Sequence, residues 1–150
     1  TNDYRRHFMF RTNELDPYWS TGNASSIAAN RLSYFFNFRG PSVAVDTACS
    51  SSLVAVHQAC LELRRKECDM ALAGGVTNEP QQGQRYIYNE NDILSPDGTC
   101  RAFDHKAGGT VFGSGAGVVV LRRLEDAIAD GDQKTVATII FRCRYQSSGT

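Results

Sequence analysis

The stretch GPSVAVDTACSSSLVAVHQAC, residues 40–60, changes periodicity halfway along. Gly40 and Pro41 punctuate its start, and Val43, Ala44 and Val45 then read as a buried strand over 42–46. From Ser50 onward Leu53, Val56, Cys60 and Leu63 recur at three and four residues, the spacing of one helix face, which predicts a helix to about Lys66. Between the two lie Asp46, Thr47, Ala48 and Cys49, small or turn-compatible residues for the most part. Cys49 is therefore expected at a strand-to-helix turn, beside a helix N-terminus. Such a terminus carries unpaired N–H groups and about half a positive charge, which favour a thiolate over a thiol. The turn would expose the sulfur and aim the following N–H groups at whatever bonds to it, as in a nucleophile elbow with part of an oxyanion hole. On this chemistry alone Cys49 is either a nucleophile or a packed core thiol.

The same alternation continues outward from this stretch. Residues 11–22 read as a loop, followed by a helix from Ala24 to about Phe38, capped by Asn23 and ended by Gly40, with Ile27, Arg31, Tyr34, Phe35 and Phe38 on one side. Upstream, Asn2 or Asp3 would cap a short helix through Met9. Downstream, CDMALAGGV (68–76) reads as a second apolar strand and residues 77–109 as polar and irregular, with a turn at SPDG (95–98). GAGVVVLRRL (115–124) reads as a buried strand, LEDAIADGD (124–132) as a short helix ending at Gly131, and TVATII (135–140) as a further strand. Strands of near-continuous apolar character alternating with helices argue for an α/β layer fold around a buried sheet.

Composition narrows the function classes. The chain has 150 residues, 41% of them apolar, with a formal net charge of zero, so nothing in its charge calls for nucleic acid or an acidic membrane surface. It holds no apolar run long enough for a transmembrane helix and no signal peptide, and we expect a cytoplasmic, reducing setting. The opening TNDYRRHF, without Met, reads as the interior of a domain, so a piece of a longer protein is expected. Five cysteines, Cys49, Cys60, Cys68, Cys100 and Cys143, form no CxxC pair, so no metal site is expected. All but Cys49 are expected to be buried or inert thiols.

A nucleophilic cysteine ordinarily has a histidine nearby. His57 lies eight residues along the helix from Cys49, roughly 12 Å at ~1.5 Å per residue, too far for proton exchange, and is read as a satisfied helix histidine. His7 and His105 fall in polar segments and are read as solvated. The glycine-rich GTVFGSGAG (109–117) precedes a strand and lacks the lysine of a P-loop; it is read as a tight turn where backbone packs closely. RRKE (64–67) is a solvated helix end whose basic residues suit the helix dipole.

These residues carry a family resemblance. GPSVAVDTACSSSLVAVHQAC closely resembles the active-site segment of β-ketoacyl synthase domains, above all those of modular type I polyketide synthases. STGNASSIAANRLSYFF (20–36), ECDMALAGGV (67–76), LSPDGTCRAFD (94–104) and GAGVVVLRRLEDAIADGD (115–132) resemble other segments of the same domain, in the same order. The resemblance covers about residues 1–140. TNEPQQGQRYIYNENDI (77–93) differs from the commonest version, and FRCRYQSSGT (141–150) departs from the small-residue segment of the family, which we read as a frame or junction change near residue 141.

The resemblance implies a thiolase-like fold layered α-β-α-β-α, of which this chain is an incomplete portion centred on the N-terminal half, and a homodimer in the full domain. It implies that Cys49 is the catalytic nucleophile of a decarboxylative Claisen condensation. The acyl chain and the malonyl-type extender would ride on the phosphopantetheine of acyl carrier protein, with no cofactor bound directly and other megasynthase domains as partners. The family also uses two histidines, in an HGTGT-type segment and a later GH segment. Neither motif occurs in these 150 residues, and both are expected beyond residue 150, which would leave this piece inactive by itself. A fatty acid synthase ketosynthase is the alternative within the same chemistry. A ketosynthase-like structural partner and a thiol hydrolase are the alternatives outside it. The first would typically lack the cysteine, and the second would need a histidine base beside it.

Overall fold

A computed structural model describes residues 17–78 and 86–132. Among these residues six elements follow one another: α1 (Pro17–Asn23), α2 (Ser25–Phe35), α3 (Ser51–Arg65), β1 (Met70–Thr77), β2 (Gly115–Arg122) and α4 (Leu124–Ala129). The described residues divide into two compact units, one of residues 17–27 with 76–78 and 86–117, the other of residues 28–75 with 118–132. The expected helix before Met9 and the expected strand at 135–140 lie outside the described residues.

In the second unit α3 is the organising element. Val56 and Leu63 on one of its faces are buried, as are Ala73 of β1 and Ala127 of α4. The face read from the sequence thus holds for its C-terminal part, with Cys60 half-buried, but Leu53 at its start is 61% exposed. The helix ends where Lys66 turns left-handed at φ 60°. There the Glu67 N–H donates to the Glu62 carbonyl (3.1 Å) and the Lys66 N–H to that of Leu63 (3.2 Å), a Schellman closure without its usual glycine.

Helix α2 closes the same way. Asn37 sits at φ 54°, the Phe38 N–H reaches the Ser33 carbonyl (2.9 Å) and the Asn37 N–H that of Tyr34 (3.2 Å). The stop is therefore at Phe35 with Asn37 as its left-handed residue, three positions before the expected Phe38 and Gly40. Residues 17–22, expected as loop, are helical, and Asn23 is the last residue of α1 instead of the cap of α2. Proline was the misleading signal: Pro17 opens α1 at the first helical position, where its missing N–H costs nothing.

Among the described residues, strands β1 and β2 form a two-stranded sheet. Ser114 meets Asn78 beyond the end of β1 (Oγ to Oδ1 3.5 Å), whereas Arg123, just past β2, meets Cys68 and Asp69 at the start of β1. The two strands are therefore antiparallel. Two expectations fail here. Residues 42–46 form no strand, because a strand exists by its ladder hydrogen bonds and no described segment supplies them; Val43 is 62% exposed. β2 is not buried either, with Val118, Val119 and Val120 all accessible. Apolar runs of this kind are buried when layers cover both faces of a sheet, and a pair of strands offers too little cover for that.

Arg123 ties the parts of this unit together. Its guanidinium donates to the carbonyls of Leu63 (3.1 Å) and Cys68 (2.7 Å) and to the carboxylates of Asp69 and Asp126 (both 2.5 Å). It thereby clamps the C-terminal turn of α3, the start of β1 and the first turn of α4. These bonds, chiefly that to Asp69, hold its proton more tightly than usual.

The first unit is built around Ser95, fully buried. The Ser95 N–H and the Thr110 N–H form a two-bond bridge with Thr110 and Ile93 carbonyls (2.8 Å each). Here Gly109, at φ +146°, lies so close to the Leu94–Ser95 backbone that a Cβ would come within 2.6 Å of it. The glycine-rich run is thus a close backbone approach at its first residue, as its sequence suggests. The Tyr86 hydroxyl donates to the Ser95 carbonyl (2.5 Å) and the Ser95 hydroxyl to Asp97 (2.8 Å). No helix among the described residues is long and apolar enough to cross a membrane.

Candidate active site

Cys49 lies in the turn that feeds α3 and is exposed. What shapes the turn is the residue before it: Ala48 has φ 54°, a left-handed conformation that costs a residue with a Cβ ~1–2 kcal/mol. Sparsely populated backbone of this sort persists only where its surroundings over-determine it, and here they are visible. The Ala48 N–H donates to Asp46 Oδ1 (3.2 Å), and the Thr47 N–H donates to Ser51 Oγ (2.9 Å). The Ser51 hydroxyl in turn donates to the Ala48 carbonyl (2.7 Å). Ser50 Oγ reaches the Thr47 carbonyl (2.8 Å) and the Thr47 hydroxyl (2.9 Å). Four polar side chains thus lace residues 46–51 into one rigid loop.

Ser50 occupies the N-cap of α3 but its side chain makes no capping bond, being turned back to Thr47. No hydrogen bond engages the Cys49 N–H among the described residues. The arrangement offers an accessible sulfur and a free N–H in the same residue at the positive end of a 15-residue helix. Chemically that suits attack on a carbonyl carbon, with a donor for the oxyanion that develops.

The other thiols differ from expectation in one case. Cys60 and Cys68 are half-buried, while Cys100 is exposed, because the 95–104 segment folds over Ser95 and leaves its neighbours outside. The Cys68 thiol is pushed up by burial, then by the Glu62 carboxylate; Cys143 lies outside the described residues. His57 is exposed on α3, with no hydrogen bond to its ring among the described residues, instead of being satisfied within the fold. His105 is exposed and pairs with Asp104 (3.3 Å). His7 is outside the described residues. The structure gives Cys49 no histidine partner within its own unit, among the described residues.

The sequence marks Ala48 and Ser51 as small neighbours of Cys49 that leave room for a substrate carbonyl, and Asp46 as turn-compatible, but not the hydrogen bonds that Asp46 and Ser51 make. Only the serine-rich run SSS after the cysteine hinted at side-chain to backbone stitching, and nothing signalled a left-handed alanine. Sequence reading also missed the anchor at Asp97, whose carboxylate takes hydrogen bonds from Arg101 (3.2 and 2.8 Å), Ser95 and the Thr99 N–H (3.1 Å). These donors, Arg101 first, hold it well below the usual carboxylate range.

Similarity to other proteins agrees with this geometry. Residues 2–127 match the family described as Beta-ketoacyl synthase, N-terminal domain. The chain is 53% identical over 132 residues to one of the phenolphthiocerol/phthiocerol polyketide synthase subunits of Mycobacterium tuberculosis, covering 88% of the chain and 9% of that relative. To another polypeptide of the same synthase it is 55% identical over 120 residues, 80% of the chain and 6% of that relative. The chain therefore spans less than a tenth of the length of these relatives.

Among solved structures, the ketosynthase from module 6 of the Bacillus subtilis bacillaene synthase superposes with a TM-score of 0.62 at 50% identity, over 73% of this chain and 19% of that one. Ketosynthase twelve of the Bacillus amyloliquefaciens bacillaene synthase gives 0.76 at 31% identity, over 87% and 23%. The helices and the strand pair described above are accordingly a partial α/β portion of the thiolase-like fold of these ketosynthases. With most of its length matched by the family and half of its residues shared with polyketide synthases, the chain belongs to the β-ketoacyl synthases, of which it carries N-terminal domain sequence.

Proposed function

We propose that this chain supplies the acyl-accepting nucleophile for decarboxylative Claisen condensation in polyketide chain elongation, and that the nucleophile is Cys49. The observation that carries the reading is the accessible Cys49 set between left-handed Ala48 and the N-terminus of α3. In the reaction, the Cys49 thiolate attacks the carbonyl carbon of an acyl thioester on the phosphopantetheine of acyl carrier protein. The oxyanion of the tetrahedral intermediate takes a hydrogen bond from the Cys49 N–H. Its collapse expels the carrier thiolate and leaves the acyl chain on Cys49. A malonyl-type extender on a carrier protein then loses carbon dioxide, and the resulting carbanion attacks the acyl-cysteine. The β-ketoacyl thioester leaves on the carrier and the Cys49 thiolate is regenerated.

The proposal includes acyl carrier protein and other synthase domains as partners, a homodimeric full domain and a cytoplasmic setting, with no nucleic acid, membrane or directly bound cofactor. The named relatives belong to a polyketide synthase, so a fatty acid synthase is not favoured. The exposed cysteine speaks against a purely structural partner, and the kinship with polyketide synthase subunits favours a condensing enzyme over a thiol hydrolase. In the full synthase carrying this sequence, Cys49→Ala is expected to abolish condensation while malonyl-carrier decarboxylation survives in part. Condensation at the wild-type rate by that variant would refute the reading.

A further inference from the structure

We propose that Gly75 of β1 is a positioning residue for Cys49, setting how deeply the first turn of α3 seats on the strand; this rests on the reading of Cys49 as the acyl-accepting nucleophile. A Cβ added at Gly75 would lie 3.0 Å from the Ser52 Cβ, 3.8 Å from its Cα and 3.9 Å from its Oγ. Optimal contact between carbons lies at ~3.5–4.0 Å, so a side chain at 75 demands a retreat of a few tenths of an ångström, up to about half. The Ser52 Cβ cannot supply it by changing rotamer, because that atom is fixed to the helix backbone. Gly75 does not adopt the left-handed region, so backbone conformation does not call for glycine at this point. Glycine inside a strand otherwise weakens it, and it marks places where another backbone approaches closely. Here the approaching backbone is the first turn of α3, three residues from the cysteine.

The path from this contact to the sulfur is short. Ser51, adjacent to Ser52, accepts the Thr47 N–H and donates to the Ala48 carbonyl. A turn of α3 lifted off β1 drags both bonds with it and reorients Ala48, Cys49 and the Cys49 N–H. The hydroxyl of Ser51 is thus the link between packing at Gly75 and geometry at Cys49. Misplacement of a reacting group by an ångström can cost about 100-fold in rate, and half that displacement is expected to cost about 10-fold.

The test compares wild type, Gly75→Ala, Ser52→Gly and the double variant in the full synthase. It uses acyl loading from a simple acyl thioester and, separately, alkylation of Cys49 by iodoacetamide followed by peptide mapping. Gly75→Ala is expected to slow loading about 10-fold with KM changed less than about 2-fold, and to slow alkylation several-fold. Ser52→Gly in the same chain removes the clashing Cβ and is expected to restore most of both rates. Gly75→Ala rates within about 2-fold of wild type, or a loss that Ser52→Gly does not restore, would overturn the proposal. If Gly75→Ala fails to fold, a folded and active double variant supports the proposal and an unfolded one overturns it. A wild-type protein that takes no acyl group on Cys49 would refute the functional reading, and the alkylation series then decides the positioning alone.

Discussion

Replacing Ala48 by valine tests the turn that presents Cys49. Ala48 stands at φ 54°, where an L-residue bears ~1–2 kcal/mol of strain and a β-branched residue is a true outlier. The additional cost at valine is ~1–3 kcal/mol. The turn can shed it only by moving Ala48 toward negative φ, which breaks its bonds to Asp46 Oδ1 (3.2 Å) and Ser51 Oγ (2.7 Å). At 1.36 kcal/mol per tenfold of rate, a loss of about 1.4–2.8 kcal/mol slows acyl loading about 10- to 100-fold. Ala48→Gly has the opposite character: glycine enters the left-handed region freely, so the loop stays closed and loading should remain within about 3-fold of wild type. The assay is single-turnover acylation by a simple acyl thioester, quantified by mass of the intact protein. Valine loading as fast as wild type, or glycine loading more slowly than valine, would refute the argument that a left-handed residue 48 holds Cys49 in place.

Iodoacetamide should modify Cys49 first and Cys100 next, with the half-buried Cys60 and Cys68 behind them; Cys68 should gain most on raising the pH, since burial and Glu62 keep its thiol protonated. Peptide mapping that finds Cys60 or Cys68 labelled before Cys49 would contradict the placement. Asp97, held below the usual carboxylate range by Arg101, Ser95 and Thr99, contributes stability that is complete at neutral pH and fades as pH falls below the unfolded value of ~3.9. The stability gap between wild type and Asp97→Asn in a full ketosynthase domain, read from denaturant melts, should therefore shrink on acidification from pH 7 toward 3; a gap independent of pH would argue against it. The 150-residue chain expressed alone should bind a hydrophobic dye and lack a sharp melting transition, because Tyr34, Phe35, Val118 and Val120 lie uncovered. A sharp, cooperative and monomeric melt would show those faces to be adequately covered.

Much of the local architecture was legible in the sequence, and the misses share a cause. Val56 and Leu63 announced the buried face of α3 because helical periodicity is a local signal, and SPDG announced its turn because glycine and proline act on their own backbone. Residues 42–46 do not form the expected strand because a strand needs a partner, which periodicity cannot supply; where no ladder forms, Val43 and Ala44 are exposed. Asn37 and Lys66 close their helices in left-handed conformations that sequence rules assign first to glycine, so α2 was extended past its true end. At the site, Cys49 stood out through its neighbours and its family resemblance. Ala48 and Ser51 were legible as small neighbours, but their roles, like that of Gly75, arise from a dihedral angle, two hydrogen bonds and a packing distance that no residue type encodes alone. Arg123 was hidden for the same reason: its acceptors at 63, 68, 69 and 126 are scattered along the chain.

Acyl transfer from a radiolabelled thioester, followed by peptide mapping, addresses the central claim directly. Carried out on the full synthase that contains this sequence, it should place one acyl group on the peptide holding Cys49. The label should vanish in Cys49→Ala and be severely reduced in Cys49→Ser, whose hydroxyl has a much higher pKa than a thiol and meets a helix terminus but no base among the described residues. Undiminished labelling of Cys49→Ala, or a label mapped to Cys60, Cys68 or Cys100, would place the acyl group elsewhere and contradict the account.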